Sequence, residues 1–190
     1  FAFHRFDLTS EKRYTISDNS KDLAANLDDI VYVKVYLEGD FPAGFKRLRD
    51  ETREMLDEFR AYSNGFIEYE FINPSEDPDQ KVREDIYKQL YKEGLRPTDL
   101  NVKEEDGTSN KIIWPGALVS YKGQEFPVQL LKSQMGVSPE MMLNGSIEAL
   151  EYEFANAIHN LKVFEKPRVA LIEGHGELDK VETASLAMSL

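Results

Sequence analysis

The chain is 190 residues long, 41% hydrophobic and 31% charged, which excludes a disordered tail and a membrane-embedded bundle. It carries 23 Lys and Arg against 35 Asp and Glu, a net charge of −12, so nucleic-acid backbones and anionic headgroups are poor partners. With no cysteine, and His4, His159 and His175 scattered along the chain, disulfides, thiolate metal sites and thiol nucleophiles are excluded, and a histidine-rich metal site is not expected.

No run approaches the ~20 apolar residues that cross a bilayer. Phe1-Ala2-Phe3 turns polar at His4-Arg5, and two readings of that start stay open: a trimmed end, or the last turn of a removed membrane helix. Ser17 is placed to cap a helix through Leu27, with Leu23, Ala24 and Leu27 on one face. Asp28-Asp29 breaks it. Ile30 to Leu37 then alternates Val31, Val33, Val35 and Leu37 against Tyr32, Lys34 and Tyr36, which is strand periodicity. After the loop Gly39-Asp40-Phe41-Pro42-Ala43-Gly44, a long helix is marked by Phe45, Leu48, Thr52, Met55, Leu56, Phe59 and Tyr62 at three- and four-residue steps. Arg47/Glu51 and Arg53/Asp57 are spaced to pair on its outer face. Asn64-Gly65 stops it, and Phe66 to Ile72 reads as a second strand with Ile67, Tyr69 and Phe71 inward.

Asp77-Pro78-Asp79-Gln80 predicts the next helix start, with Asp77 as cap and Val82, Ile86 and Leu90 facing inward, ending at Gly94. Asn101 to Asn110 is polar, with a turn at Asp106-Gly107. Ile112 to Tyr121 and Gln124 to Leu131 read as two strands of a hairpin turning at Lys122-Gly123. Ser138-Pro139-Glu140 opens a short helical turn, and a last long helix is expected from Ser146 to Val163. Asn144-Gly145-Ser146 matches a glycosylation sequon, but the start of that helix explains it better. Glu165-Lys166-Pro167 is the expected boundary between a domain of residues 1–166 and the start of a second, residues 167–190. There Val169-Ala170-Leu171-Ile172 reads as a buried strand running into a helix, a unit too small for a core of its own.

Two strands joined by a helix should lie parallel, and the hairpin adds antiparallel ones. The predicted fold is therefore α/β: a mixed sheet with helices on both faces, similar to the thioredoxin-like arrangement. Trp114-Pro115-Gly116 resembles the segment in which a thioredoxin carries its cis-proline, so a cis Trp114–Pro115 bond is expected.

In a redox domain of that shape, the chemistry sits where the first core strand hands over to its helix. Here that place is Gly39 to Gly44, which has no thiol. Two readings stand side by side: a plain connection, or a peptide- or partner-binding lip using the exposed rings of Phe41 and Trp114, beside Pro42 and Pro115. Glu173-Gly174-His175-Gly176-Glu177 follows a strand and opens a helix, so Gly174 and Gly176 would permit close approach of a ligand, with His175 and Glu177 beside it. The third glycine of a dinucleotide fingerprint is absent, and His175, which could be a base or ligand in an intact domain, reads more readily as a histidine that satisfies a loop backbone. The acidic residues from Glu68 to Asp85 lack the spacing of a calcium loop and read as a solvated face. No catalytic residue, metal ligand or cofactor is predicted.

The run Arg5-Phe6-Asp7-Leu8-Thr9-Ser10-Glu11-Lys12-Arg13-Tyr14-Thr15-Ile16-Ser17, then Val33 to Pro42, Tyr69 to Pro74 and Glu173 to Glu177, resembles the extracytoplasmic part of the gliding-motility-associated ABC transporter component family, GldG. The resemblance implies a periplasmic region, anchored in the bacterial inner membrane through segments outside this stretch. It implies partnership with a membrane permease subunit and a cytoplasmic ATPase, in a system tied to surface gliding in Bacteroidetes-type bacteria. It further implies that residues after Pro167 begin an amidotransferase-like interaction domain. The expected function is a non-enzymatic module working through protein contacts; the alternative is a binder delivering a small molecule, peptide or glycan to the transporter.

Overall fold

The computed structural model describes residues 15–104, 107–133 and 136–163. Ser17 caps α1 (Asp18–Ala25), its side chain accepting from the Ser20 amide at 3.3 Å. β1 (Val31–Val35) buries Val31, Val33 and Val35 and leaves Tyr32 and Lys34 half-buried, as the alternation requires. α2 (Ala43–Tyr62) buries Phe45, Leu48, Thr52, Leu56 and Phe59. It stops where Asn64 and Gly65 take φ of 55° and 86°, left-handed angles that favour these two residues. β2 (Ile67–Phe71) follows. Of the two ion pairs expected on α2, Arg47–Glu51 is present at 3.9 Å, whereas Arg53 reaches back to Glu38 at 3.4 Å. Asp57 instead accepts the Tyr69 hydroxyl at 2.7 Å, a bond across the helix–strand layer that geometry along one helix could not reveal.

α3 (Gln80–Lys92) starts later than expected. Its cap is Asp79, which accepts from the Lys81 amide at 2.8 Å, while Asp77 holds the Asp79 amide at 2.8 Å. The polar segment Asn101 to Asn110, for which only a turn was expected, lies in a hairpin of β3 (Thr98–Glu104) and β4 (Gly107–Ile113), paired from Thr98↔Ile113 to Glu104↔Gly107. Between Asn101 and Asn110 only Val102 is apolar, so the alternation that marks a half-buried strand is missing from the sequence.

The long run expected from Ile112 to Tyr121 is accordingly two strands. Ile112 and Ile113 close β4, and the chain turns at Trp114-Pro115 into β5 (Gly116–Tyr121). The Trp114–Pro115 bond is trans, against expectation. The Gly116 amide donates to the Trp114 carbonyl at 2.8 Å, a γ-turn around Pro115. Such a turn needs a central φ of about −75°, close to what the proline ring imposes. The Pro115 carbonyl accepts the Leu130 amide at 2.8 Å and extends the ladder of β5 with β6 (Gln124–Gln129) by one rung. Lys122 and Gly123 have φ of 48° and 78° and make the predicted tight turn between these strands.

The short helical turn expected at Ser138-Pro139-Glu140 is a full helix, α4 (Pro139–Glu148), capped by Ser138, and the long helix expected from Ser146 starts only at Leu150, as α5 (Leu150–Lys162). Ser146 is buried and its hydroxyl accepts the Lys132 amide at 2.9 Å, tying the last turns of α4 to the chain leaving β6. Asn144-Gly145-Ser146 therefore lies within α4 rather than at a helix start.

The main sheet has the order β2-β1-β5-β6, with β1 and β2 parallel and the other pairs antiparallel. That is the thioredoxin-like order, in an α/β fold with helices on both faces. One face is covered by α2 and α5, with α1 wedged between them and α4 behind α2. Glu151 on α5 accepts the Ser17 amide at 2.8 Å and the Ser20 hydroxyl at 2.6 Å, pinning α1 in place. Burial alone would push that carboxyl up; the bonds from Ser17 and Ser20 outweigh it and hold it below its ordinary value. On the other face α3 covers only one end, where Leu90 and Leu95 pack with Tyr36, Trp114 and Leu118. The expected boundary at 166/167 and the second domain lie outside the described residues.

Candidate functional site

In an open sheet with parallel strands, ligands bind outside the strands' carboxyl ends, because the connecting loops diverge there. β1 and β2 both point to that end. The loop after β1 supplies Gly39, Asp40 and Phe41, and the loop after β2 supplies Asn73 and Ser75. The first turns of α3 and the outer strand β4 close the sides. Together they line a cleft of ≈ 500 Å³.

Each wall is held by identifiable contacts. Glu38 accepts from Gly39's own amide at 3.1 Å and from Arg49 at 3.0 Å, fixing the base of the first loop to α2. Gly39 has φ of 136°, a backbone angle that side-chain-bearing residues rarely adopt, although a Cβ there would meet Asn73 and Phe41 only at ordinary contact distance. Asp40 stands at the rim and bonds Lys46 at 2.9 Å, with Lys111 of β4 at 3.8 Å. The Lys46 hydrogen bond, then the nearby lysine charges, hold its carboxyl below the ordinary range, so Asp40 is an anion and not a proton donor near neutral pH.

Across the cleft, Asn73 accepts the Ser75 amide at 3.0 Å, and the Ser75 and Tyr87 hydroxyls share a bond of 2.7 Å. Arg83 donates to the Asp77 and Pro78 carbonyls at 2.6 and 2.9 Å, so one guanidinium fastens the loop onto α3. The Tyr87 ring lies 5.5 Å from that of Trp114, which is therefore a foundation of the cleft. Tyr36 is buried beneath the same helix. Burial, with Glu93, Glu125 and Glu70 adding to it, pushes its hydroxyl up to about 12, so it is neutral at physiological pH.

Of the residues singled out from sequence, Phe41 lines the cleft, half-buried, and Pro42 is exposed at the start of α2. Trp114 is 3% exposed and Pro115 is buried, so neither ring forms an exposed lip. The tight γ-turn folds the indole under α3, against Leu90 and Tyr87. The Trp114 indole N–H is buried and has no hydrogen-bond partner among the described residues, an arrangement that costs about 1–3 kcal/mol. Gly174, His175, Gly176 and Glu177 lie outside the described residues.

Asn73, Ser75, Arg83, Tyr87 and Lys111 were not legible as site residues. They come from separate segments and each reads alone as an ordinary polar position. The available signal was the pairing of two loops that follow parallel strands, which puts Asn73-Pro74-Ser75 beside Gly39-Asp40-Phe41. Chemically the cleft offers an apolar floor in Phe41, Ile112 and Ile113, and amide, hydroxyl and charged groups on its walls. Among the described residues no cluster of histidines and carboxylates could hold a metal ion. No helix among them is long and apolar enough to cross a membrane.

No curated protein and no solved structure matches the chain. One family model does, over residues 10–120, a span that runs from ahead of α1 into β5 and includes every wall of the cleft. Since that span exceeds half the chain, the protein belongs to the family described as a domain of unknown function, DUF7088.

Proposed function

We propose that this chain is a non-catalytic periplasmic component of a bacterial ABC transporter complex associated with gliding motility, anchored to the inner membrane and acting through protein contacts. The observation that carries this reading is the cleft at the carboxyl ends of β1 and β2. In a redox thioredoxin-like domain that place holds a thiol; here it holds Gly39-Asp40-Phe41-Pro42, and the surrounding groups are suited to grip a partner rather than attack it. The sequence resemblance supplies the partners: a membrane permease subunit working with a cytoplasmic ATPase. The experiment is affinity isolation of the tagged protein from detergent-solubilised membranes. Recovery of the permease subunit is the expected result; isolation without it overturns the reading.

A second reading is favoured by the size and lining of the same cleft: a binder of a small molecule, peptide or glycan. About 300–1,000 Å³ is the usual range for small-molecule sites, and aromatic rings with convergent amide groups suit a polar ligand. A thermal-shift screen against saccharides and short peptides tests it. The expected hit loses its shift in Tyr87→Ala, and a screen without hits removes this alternative.

A further inference from the structure

The two edges of the main sheet differ in a way that identifies a docking site. In the β5–β6 hairpin, Tyr121↔Gln124 flank a two-residue turn, so Val119↔Phe126 and Ala117↔Val128 bond to each other while Glu125, Pro127 and Gln129 turn their backbone groups to the free edge. Pro127 has no N–H to offer, in the middle of that edge, and so blocks it. β2, at the other edge, carries no such block. The Val31 amide donates to the Phe66 carbonyl and the Ile72 amide to the Val35 carbonyl, so the even-numbered residues of β2 serve β1. The odd-numbered residues turn outward. The Ser63 hydroxyl satisfies the Ile67 amide at 3.1 Å, but the amides and carbonyls of Tyr69 and Phe71 have no backbone partner among the described residues.

The side chains flanking these groups say what would pair there. On the open face of the sheet stand Glu68 and Glu70, both exposed, in register with Tyr32 and Lys34 of β1. On the helical face, Tyr69 and Phe71 meet edge to face at 5.8 Å, with Arg60 at 4.2 Å over the first ring and Arg53 at 4.0 Å over the second. A second copy of β2 would bring Glu68 and Glu70 against their own kind, which like-charge pairing disfavours. We infer that the free edge of β2 accepts an added strand from a partner protein, one bearing Lys or Arg at alternate positions opposite Glu68 and Glu70 and apolar residues between them. Backbone bonds to Tyr69 and Phe71 supply the grip, and the alternating charges set the register.

This inference rests on the protein-contact reading above and names the chemistry of the contact, but the two fail separately. In the free 190-residue chain, the Tyr69 and Phe71 amides should exchange hydrogen faster than those of Glu68 and Glu70. A blocked hexapeptide alternating Lys with Val should slow exchange at Tyr69 and Phe71, and its twin alternating Glu with Val should not. The double variant E68K/E70K, changed only at exposed positions, should bind the Lys peptide at least tenfold more weakly and reverse the preference. Protection confined to the cleft, no protection at either amide, self-association through β2, or unchanged affinity in E68K/E70K each overturns the proposal. Permease recovery that is equal with wild type and with E68K/E70K overturns the edge while sparing the protein-contact reading.

Discussion

The two faces of the main sheet are packed on different scales. On one, α1, α2 and α5 bury a continuous core that includes Val31, Val33, Val35, Leu48, Leu56, Phe59, Val119, Phe154 and Ile158. On the other, α3 covers a small cluster around Leu90, Leu95, Trp114 and Leu118, and the remaining surface carries Tyr32, Lys34, Glu68 and Glu70. The thick face makes the domain stable. The thin face holds the cleft and adjoins the open edge, so surfaces available for recognition lie where little hydrophobic free energy is committed. Stability and binding should therefore be separable by mutation.

Substitution on the thick face gives the largest expected effect. Phe59 is fully buried, and Phe59→Ala should cost about 3–5 kcal/mol in urea unfolding while leaving the affinity of the folded fraction for any cleft or edge ligand unchanged. On the thin face, Leu90→Ala should cost about 2–3 kcal/mol, near the low end for leucine because only a small cluster packs around it and can close over the gap. Its distinguishing sign is local: hydrogen exchange should accelerate in α3 before it does in β1. Equal acceleration in both elements would show that the two faces are a single cooperative unit. Gly116→Ala should come next, at about 1–3 kcal/mol, because an added Cβ would stand 2.8 Å from Leu95 and 3.2 Å from the Val128 carbonyl. It drives α3 off the sheet and should reduce cleft binding as well.

The smallest effect lies at the end of the sheet away from the cleft. Asp28 accepts from Lys122 at 2.7 Å and from the Tyr121 hydroxyl, and these bonds, Lys122's first, lower its carboxyl to about 2. Its unfolded value is about 3.9, so the pairing contributes fully above that pH and is lost as pH falls through 4 toward 2. Asp28→Asn should flatten the acid limb of the stability curve in that window and leave cleft and edge binding at neutral pH untouched. A change in peptide binding at neutral pH would mean that the two ends of the sheet are coupled.

Much of the fold was legible from periodicity. The alternation of Val31, Val33 and Val35, the three-and-four spacing from Phe45 to Tyr62, the Asn64-Gly65 stop and the Lys122-Gly123 turn each correspond to an observed element. The hairpin of β3 and β4 was not, because backbone pairing holds it together without an apolar stripe to announce it. The break between α4 and α5 was also hidden. Ala149 is a strong helix former, and the chain bends there while Ser146, one turn earlier, is held by the Lys132 amide, a contact between distant segments. For the candidate site, Phe41 was anticipated and the burial of Trp114 was not, since the γ-turn that buries it is held by the pairing of Pro115 with Leu130, just past β6.

By itself the sequence determined which segments bury a face, where the helices stop, and that no thiol chemistry takes place, since these follow from side-chain chemistry and local backbone preference. Tertiary structure alone decided which loops meet to form the cleft, that Pro127 blocks one edge of the sheet while β2 has no strand beside it on the other among the described residues, and that Trp114 supports α3 from beneath. These features depend on residues brought together from far apart in the chain, and the pairing of strands, not any local pattern, determines which ones meet.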